Sequence, residues 1–190
     1  MAPARPRAAS APEGVAVRPD LDALYRQHAP AVARWVAHLG GPRIDIDDLV
    51  HEIFLVAHRR LAEFRGEAKV TTWLYRITER VVLGRRRRDR ARRFMTRLWR
   101  GDVGQSTAAM SRLTPIEELE RQQSRDAVYR VLDRLGEKYR SLLILFELEG
   151  MSGEEIAALT GIKLATIWVR LRRARLLFLA ELERDRGGVR

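Results

Sequence analysis

Residues 149–175, EGMSGEEIAALTGIKLATIWVRLRRAR, contain two helical segments separated by a glycine. Ser152 followed three positions later by Glu155 forms a capping box, which marks the start of a helix. Gly161 supplies a left-handed turn after this short helix, and a longer helix is predicted from Leu164 to about Arg184. Two helices joined by a tight turn form a helix-turn-helix, which places its second helix in the major groove of DNA.

The second helix of this pair has an apolar side and a basic side. At 100° per residue, its buried stripe is predicted to be Ile167, Leu171, Ala174 and Phe178. Residues 163–175 carry five positive charges and no acid. A solvated helix in a bundle is the alternative interpretation, but such a helix rarely turns valine and tryptophan outward and omits every acid. We therefore interpret this helix as the DNA-reading one.

The rest of the chain shows helical periodicity and nothing that indicates a strand. It predicts an all-α protein with two small helical domains, residues 21–93 and 114–184, joined by a flexible linker at 94–113 with tails at 1–20 and 185–190. The other predicted helices cover residues 21–39, 47–62, 72–93, 114–135, 139–148 and 153–159, and residues 64–69 form a loop. Thr114 and Pro115 mark the first helix of the second domain, because proline favours the first helical position.

Composition narrows the function classes. The net charge of +11 indicates a polyanionic partner, although all but three of the 36 basic residues are arginine, a bias that also fits a GC-rich genome. The absence of cysteine excludes disulfides and thiolate metal sites. The four histidines lack metal-ligand spacing, and no phosphate-binding loop or nucleophile motif is present. We therefore expect no catalytic residue, no metal and no cofactor.

No apolar run reaches the roughly 18–20 residues that a membrane span needs. Residues 1–20 lack the apolar core of a secretory signal. These observations predict a cytoplasmic protein without membrane insertion.

Two charged segments in the first domain point to partners. Residues 85–93, RRRRDRARR, hold seven arginines and one aspartate. Such a run neutralises phosphates without reading sequence, although basic runs also occur as solvated helix ends. The acidic group Asp45, Asp47, Asp48 and Glu52 has three interpretations: Mg²⁺ ligands of a nuclease, charges favoured by a helix N-terminus, or a protein-docking surface. The residues alone leave these three open.

Two segments of the chain resemble those of a known family. DIDDLVHEIFLVAHRRL (45–61) followed by FRGEAKVTTWLYRI (64–77) resembles region 2 of the extracytoplasmic-function (ECF) sigma factors, and residues 149–175 resemble their region 4. The resemblance covers residues 21–184 apart from the linker, with no region 3 domain between. It implies a non-enzymatic alternative sigma factor that binds core RNA polymerase and directs promoter-specific initiation at minus-ten and minus-thirty-five elements. No small-molecule substrate is implied.

The resemblance also implies a role for each charged surface. The residues for docking on core polymerase are Asp45, Asp47, Asp48, His51 and Glu52. The minus-ten contacts are Phe64, Arg65, Gly66, Glu67, Lys69, Thr71, Arg80, Arg85, Arg86, Arg87 and Arg88. The minus-thirty-five contacts are Lys163, Ala165, Thr166, Trp168, Val169, Arg170, Arg172, Arg173 and Arg175.

Several positions depart from the family pattern. His51 stands where glutamine is usual, Arg80 where asparagine is common, and Gly84 near where aspartate is expected. Residues 163–167, KLATI, replace the usual Pro-Val-Gly-Thr-Val, and Trp168 with Val169 replaces a polar pair. These departures touch base-reading positions, so the resemblance carries the class of protein and no particular promoter sequence.

The implied partners are the clamp helices and flap of core RNA polymerase, promoter DNA, and an anti-sigma factor. The main alternative is a free-standing helix-turn-helix regulator that binds operators as a dimer, without polymerase. A metal-dependent nuclease is a second alternative, supported only by the acidic group. Sigma-free core polymerase distinguishes all three, since only a sigma factor gives promoter-dependent transcripts with it.

Overall fold

The computed structural model describes residues 20–99 and 115–187 of the chain. Within these ranges the chain is helical and contains no strand, as predicted. The elements are α1 Leu21–Gly40, α2 Ile46–Leu61, α3 Val70–Trp99, α4 Pro115–Leu132, α5 Glu137–Leu143, a π-helical turn Ile144–Leu148, α6 Gly153–Thr160 and α7 Leu164–Gly187. No helix in the described ranges is long and apolar enough to cross a membrane.

Two predicted boundaries need correction. Helix α3 continues through Trp99, so residues 94–99, predicted as the start of the linker, are helical. Loss of apolar periodicity after Arg93 does not end the helix, because arginine, methionine and leucine have high helix propensity without a packing partner. Helix α7 likewise reaches Gly187, three residues beyond the predicted end of its domain. The predicted linker from residue 100 onward, residues 1–19 and residues 188–190 lie outside the described residues.

The N-terminal domain is a bundle of α1, α2 and α3. In α1 the buried residues are Leu24, Val32, Trp35, Val36 and Leu39, at the three- and four-residue spacings of one helix face. The edge of the Trp35 ring meets Tyr75 of α3, with ring centroids 5.3 Å apart. This core holds α2 and the first half of α3 in place, which positions both charged segments of the domain.

The C-terminal domain consists of α4 to α7, with α7 packed along α5 and α6. Ile167, Leu171 and Ala174 of α7 are fully buried, and Phe178 is half-buried. The predicted buried stripe is therefore confirmed. Because this stripe fixes the rotation of α7 about its axis, it also determines which side chains of α7 point outward.

Gly153, the first residue of α6, is buried under α7. A methyl group added there would lie 2.6 Å from Cζ2 of Trp168 and 3.0 Å from Cδ1 of Leu164. The 2.6 Å contact is too short for a real methyl group, so the Trp168 ring or α7 itself would have to shift, and the Leu164 side chain would have to give by a few tenths of an ångström. The close approach of α6 to α7 therefore favours glycine at this position.

Gly153→Ala should therefore lower the free energy of unfolding by about 1–3 kcal/mol through overpacking. Gly84→Ala is the matched control: Gly84 is helical with nothing within 4 Å of an added methyl, and alanine there should raise stability by about 0.5–1 kcal/mol. Thermal and urea unfolding of both variants measures the two shifts. Equal shifts of the same sign would contradict this packing.

Candidate functional site

The helix-turn-helix is formed as the sequence predicts. Ser152 Oγ accepts a hydrogen bond from the Glu155 N–H at 3.2 Å, and the Glu155 carboxylate accepts from the Ser152 N–H at 2.8 Å. Gly161 ends α6 at φ 72°, a left-handed conformation that favours glycine, and its N–H donates to the Ala157 carbonyl at 2.8 Å. This cap and this turn set the direction of α7.

The outward side of α7 carries most of the predicted minus-thirty-five residues. Val169 is 70% exposed. We call the following seven residues the basic face of α7: exposed Lys163, Ala165, Val169, Arg172 and Arg173, with half-buried Thr166 and Arg170. An apolar side chain this exposed, surrounded by cations and no acid, is typical of a helix that binds a partner.

Two other predicted minus-thirty-five residues have partners inside their own domain. The Trp168 ring packs edge-on against Phe146, with centroids 5.7 Å apart. Arg175 donates two hydrogen bonds to Glu147 at 2.8 and 3.0 Å, and its guanidinium lies over the Phe146 ring. Both residues lie on the flank of α7 that faces the π-helical turn, so in this structure they stabilise the domain. The sequence did not reveal this turn, and the partners were missed.

The acidic group lies at the start of α2. Asp45 is the N-cap residue, and its carboxylate accepts a hydrogen bond from the Asp48 N–H at 3.0 Å. Asp45, Asp47, Asp48 and His51 are exposed, and Glu52 is half-buried. Within residues 20–99 and 115–187, no three histidine or carboxylate side chains come together in a way that could hold a metal ion.

Two of these acids face the arginine run on α3. The Asp48 carboxylate lies 3.3 Å from Nη1 of Arg85, and the Glu52 carboxylate lies 3.8 Å from Nη2 of Arg88. The two segments that the sequence suggested as separate surfaces therefore form one continuous surface of alternating charge. The sequence contained a signal for this pairing. The two acids are four residues apart on α2 and the two arginines are three residues apart on α3, so each set lies on one face of its helix.

The predicted minus-ten loop connects α2 to α3. The half-buried Phe64 ring lies 5.1 Å from the Trp73 ring, centroid to centroid. Gly66 has φ 74°, and the remaining predicted contacts of the loop are exposed (Arg65, Glu67 and Lys69) or half-buried (Thr71). Arg80 and Arg87 are exposed on α3. The loop thus presents an aromatic pair flanked by cations.

Arg86 does not lie on this surface. Its side chain is 8% exposed, with Nη2 2.5 Å from the Asp133 carboxylate and Nη1 3.2 Å from the Glu137 carboxylate. Burial lowers the pKa of Arg86, although both carboxylates oppose the shift. The predicted phosphate contact is therefore unavailable in this structure. The sequence contained a signal for this burial, because Arg86 continues the buried stripe of Thr78 and Val82 at four-residue spacing.

Arg140 of α5 completes this group of charges. It is fully buried, its Nη1 donates to the Leu39 carbonyl of α1 at 2.7 Å, and its Nε lies 3.3 Å from the Asp133 carboxylate. Burial lowers the pKa of Arg140 to about 10. We call Arg86, Asp133, Glu137 and Arg140 the interdomain charge cluster, because Arg86 comes from the N-terminal domain and the others from the C-terminal domain.

Glu79 of α3 is a further partly buried acid between the domains. It lies beside the hydroxyl groups of Tyr75 and Ser141, the latter on α5. Burial raises the pKa of Glu79, and the hydroxyls oppose that shift. Burial, together with the Glu79 carboxylate, also raises the pKa of Tyr75.

Comparisons with known proteins agree with the two domains. Family models described as sigma-70 region 2 and sigma-70 region 4 match residues 24–93 and 125–177. Two adjacent domains of these types define a sigma-type initiation factor of bacterial transcription.

Two relatives identify the group of sigma factors more closely. The chain is 32% identical over 159 residues to the ECF RNA polymerase sigma-E factor of Escherichia coli, covering 77% of this chain and 76% of the relative. It is 28% identical over 169 residues to the RNA polymerase sigma factor YlaC of Bacillus subtilis, covering 89% and 95%. The chain belongs to the ECF sigma factors, which are non-enzymatic and direct RNA polymerase to promoters.

Solved structures show the same fold. CnrH, in complex with the cytosolic domain of CnrY, aligns with a TM-score of 0.53 at 25% identity, covering 87% of this chain and 88% of CnrH. The sigma factor RpoE of Bartonella quintana, in complex with the anti-sigma factor NepR, aligns with a TM-score of 0.53 at 22% identity, covering 84% and 94%. At 22% identity, the similarity to RpoE shows a common fold.

Glu79→Gln should raise the free energy of unfolding at neutral pH, because the amide keeps the shape of the side chain without a buried charge. The pKa of Glu79 is raised in the folded chain, so the carboxyl stabilises the fold below its ordinary pKa near 4.5, and this contribution is lost as pH rises through the raised value. The gain in the free energy of unfolding from Glu79→Gln should therefore increase as pH rises from the ordinary pKa to the raised pKa of Glu79, and should stay constant above it. Urea unfolding between pH 4 and 8 measures it, with exposed Glu63→Gln as control. A pH-independent difference would contradict the assignment.

Proposed function

We propose that the basic face of α7 reads the minus-thirty-five element, that the 64–71 loop with α3 binds the minus-ten element, and that the acids of α2 dock on core polymerase. One observation carries this proposal: a capped α6 and the Gly161 turn present an α7 face with exposed Val169, four cations and no acid. A helix held in this way fits the major groove.

Individual side chains on α7 suit different contacts with DNA. Arg172 lies opposite the buried stripe, and its planar guanidinium can pair with both O6 and N7 of guanine. Val169, on the same side, offers only methyl groups, which suit the methyl of thymine. Arg170 and Arg173 lie on a flank and suit phosphates. Trp168 and Arg175, already held by Phe146 and Glu147, are the weakest candidates for base contacts.

The loop between α2 and α3 suits unpaired DNA. Its Phe64–Trp73 ring pair is partly accessible, and Arg65 and Lys69 lie exposed on either side of Gly66. Bases in single strands stack on aromatic rings, while cations follow the backbone. Along α3, the positive surface continues with exposed Arg80, Arg87 and Arg88 and partly exposed Arg85.

The acids of α2 suit a basic partner surface. Asp48 and Glu52 are oriented by Arg85 and Arg88, and Asp47 and His51 beside them are exposed. We assign this surface to the clamp helices of polymerase. His51 replaces the usual glutamine and can still donate a hydrogen bond.

The C-terminal domain offers a second contact for polymerase. An apolar groove between α4, the π-helical turn and α7 is lined chiefly by Val128, Leu132, Leu148, Phe178 and Leu179. An amphipathic helix fits such a groove, and we assign it to the polymerase flap. Since CnrH was solved with the cytosolic domain of CnrY, and RpoE with the anti-sigma factor NepR, we also propose that an anti-sigma partner binds this chain.

Asp48→Arg combined with Glu52→Arg should abolish binding to core polymerase in a pull-down. Loss of acids from the first turns of a helix costs only about 0.3–1 kcal/mol each, so the fold should persist. Glu63→Arg, a charge reversal of an exposed residue just beyond α2, is the matched control and should bind normally. If the double variant bound core polymerase as well as the wild type, α2 would not be part of the docking surface.

Arg172→Ala should cost about 1–3 kcal/mol on the preferred promoter and relax discrimination at one or two minus-thirty-five positions. Arg173→Ala should weaken all sequences alike, and Arg175→Ala should have the smallest effect on base preference because Glu147 already binds it. Transcription from a library of minus-thirty-five sequences measures all three. Changed base preference with Arg173→Ala, and uniform loss with Arg172→Ala, would mean that α7 is rotated by about 100° from this assignment.

A further inference from the structure

A polar cleft lies where the turn after α1, the second half of α3 and α4 meet. Its volume of about 450 Å³ is within the range of small-molecule sites in proteins. The turn packs closely on α4, because a methyl group added to Gly41 would lie 3.0 Å from Cδ1 of Tyr129. The Tyr129 hydroxyl also donates to the carbonyl of His38, in the last turn of α1, at 3.1 Å. These contacts hold the walls of the cleft together.

The arginine run of α3 is divided between two faces of the helix. Arg85 and Arg88, three residues apart, face the acids of α2. Arg86, Arg90 and Arg93 follow one another at spacings of four and three residues, so they share another face and line the cleft. Arg86 is buried, whereas Arg90 and Arg93 are exposed. These two arginines therefore lie on a surface that the proposed function does not use.

Most acids of the cleft already have a cation beside them. The Asp133 carboxylate belongs to the interdomain charge cluster, where two guanidinium groups contact it. The Asp89 carboxylate lies 3.7 Å from Nε of Arg85. Asp126 is half-buried, and its side chain has no ion-pair partner within residues 20–99 and 115–187. Of the three carboxylates that line the cleft, one is thus left to oppose its cations.

Four exposed arginines of the cleft keep most of their hydrogen-bond donors free. We call them the cleft arginines: Arg43 in the turn, Arg90 and Arg93 on α3, and Arg130 on α4. The side chains of Arg43 and Arg130 have no hydrogen-bond or ion-pair partner among the residues that the structure describes. Arg90 and Arg93 each donate one hydrogen bond to a backbone carbonyl, at 3.4 and 3.3 Å. Because a guanidinium has five N–H donors, each of them retains four.

Cations that converge in a cleft without acids attract anions. A concave surface lined by one sign of charge focuses the electric field and raises the local concentration of the opposite charge. A guanidinium can also bind two phosphate oxygens at once. This shortage of acids is not shared by all arginines of the chain. Arg134, which also lines the cleft, lies 2.6 Å from the Asp185 carboxylate, and Arg175 lies 2.8 Å from the Glu147 carboxylate.

An aromatic ring also lines the cleft. Phe94 follows Arg93 directly and is 65% exposed. Every nucleobase has a π-face, so bases of any identity stack on such a ring. Several guanidinium groups with an accessible aromatic ring beside them match a ligand that has both phosphates and a base.

We propose that this cleft binds a nucleoside polyphosphate: the cleft arginines bind its phosphates, and the Phe94 ring stacks on its base. Inorganic polyphosphate shares the phosphate chemistry but has no base, so the test below separates the two. The site involves neither polymerase nor promoter DNA, and it can therefore be tested independently of the proposed function.

The test is isothermal titration calorimetry of the full chain with GTP, ATP and inorganic triphosphate, without polymerase or DNA. Both nucleotides should bind with a stoichiometry of one per chain and about tenfold more tightly than inorganic triphosphate, because the base stacks. Phe94→Ala should abolish that difference and leave the Kd of inorganic triphosphate unchanged. Arg43→Ala combined with Arg130→Ala should raise the Kd of all three ligands at least about tenfold, because charge-assisted hydrogen bonds are lost.

Arg59→Ala combined with Arg121→Ala is the matched control, because it removes the same charge from two exposed arginines outside the cleft. This variant should keep the Kd values of the wild type. Saturating GTP should raise the Tm of the wild type and of the control but not that of the cleft variant, and the same unfolding curves check that all variants are folded.

Four results would overturn the proposal or part of it. Absence of nucleotide binding by the wild type, or equal losses in the two double variants, would overturn the site. Equal Kd values for GTP and inorganic triphosphate would overturn the base contact with Phe94. If Arg43→Ala with Arg130→Ala weakened binding of a random DNA duplex but not of nucleotides, the cleft would be a DNA contact and the proposal would be wrong.

Discussion

The burial of the Arg140 guanidinium is the constraint on which the arrangement of this molecule depends. A charge removed from water must be surrounded by acceptors, and Arg140 takes them from both domains: the Leu39 carbonyl of α1 and the Asp133 carboxylate after α4. Asp133 in turn binds Arg86 of α3. Through Asp133, this buried cation is linked to the second residue of the arginine run, and the group joins α1, α3 and α5.

With the domains held in this way, different functional surfaces have different accessibility. The basic face of α7 and the acids of α2 point outward, whereas α6 lies against α3 beside the loop that we propose binds the minus-ten element. The function that we propose uses all of these surfaces during initiation.

The sequence predicted the local features well, because each depends on residues close together in the chain. The capping box at Ser152, the left-handed turn at Gly161 and the buried stripe of α7 follow from spacings of three or four residues. The end of α3 was placed six residues too early, because no residue from 87 to 95 is buried although the helix continues through Trp99. Apolar periodicity identifies the part of a helix that packs on a core more reliably than the part that continues beyond it.

The contacts between domains were beyond sequence reasoning for a physical reason. Arg86 and Asp133 are 47 residues apart, and Arg140 and Leu39 are 101 apart. Nothing local distinguishes Arg86 from its three neighbouring arginines except its place on the buried stripe of α3. Likewise, Trp168 and Arg175 were predicted to face DNA because the π-helical turn that holds Phe146 and Glu147 beside them has no recognisable sequence pattern.

Run-off transcription with purified, sigma-free core polymerase on a library of promoter templates tests the central claim most directly. The account predicts transcripts that appear only when this chain is added, that start at a defined distance from shared minus-ten and minus-thirty-five sequences, and that disappear with Asp48→Arg combined with Glu52→Arg. DNA binding by the chain alone, with no promoter-dependent transcript in the presence of core polymerase, would contradict it.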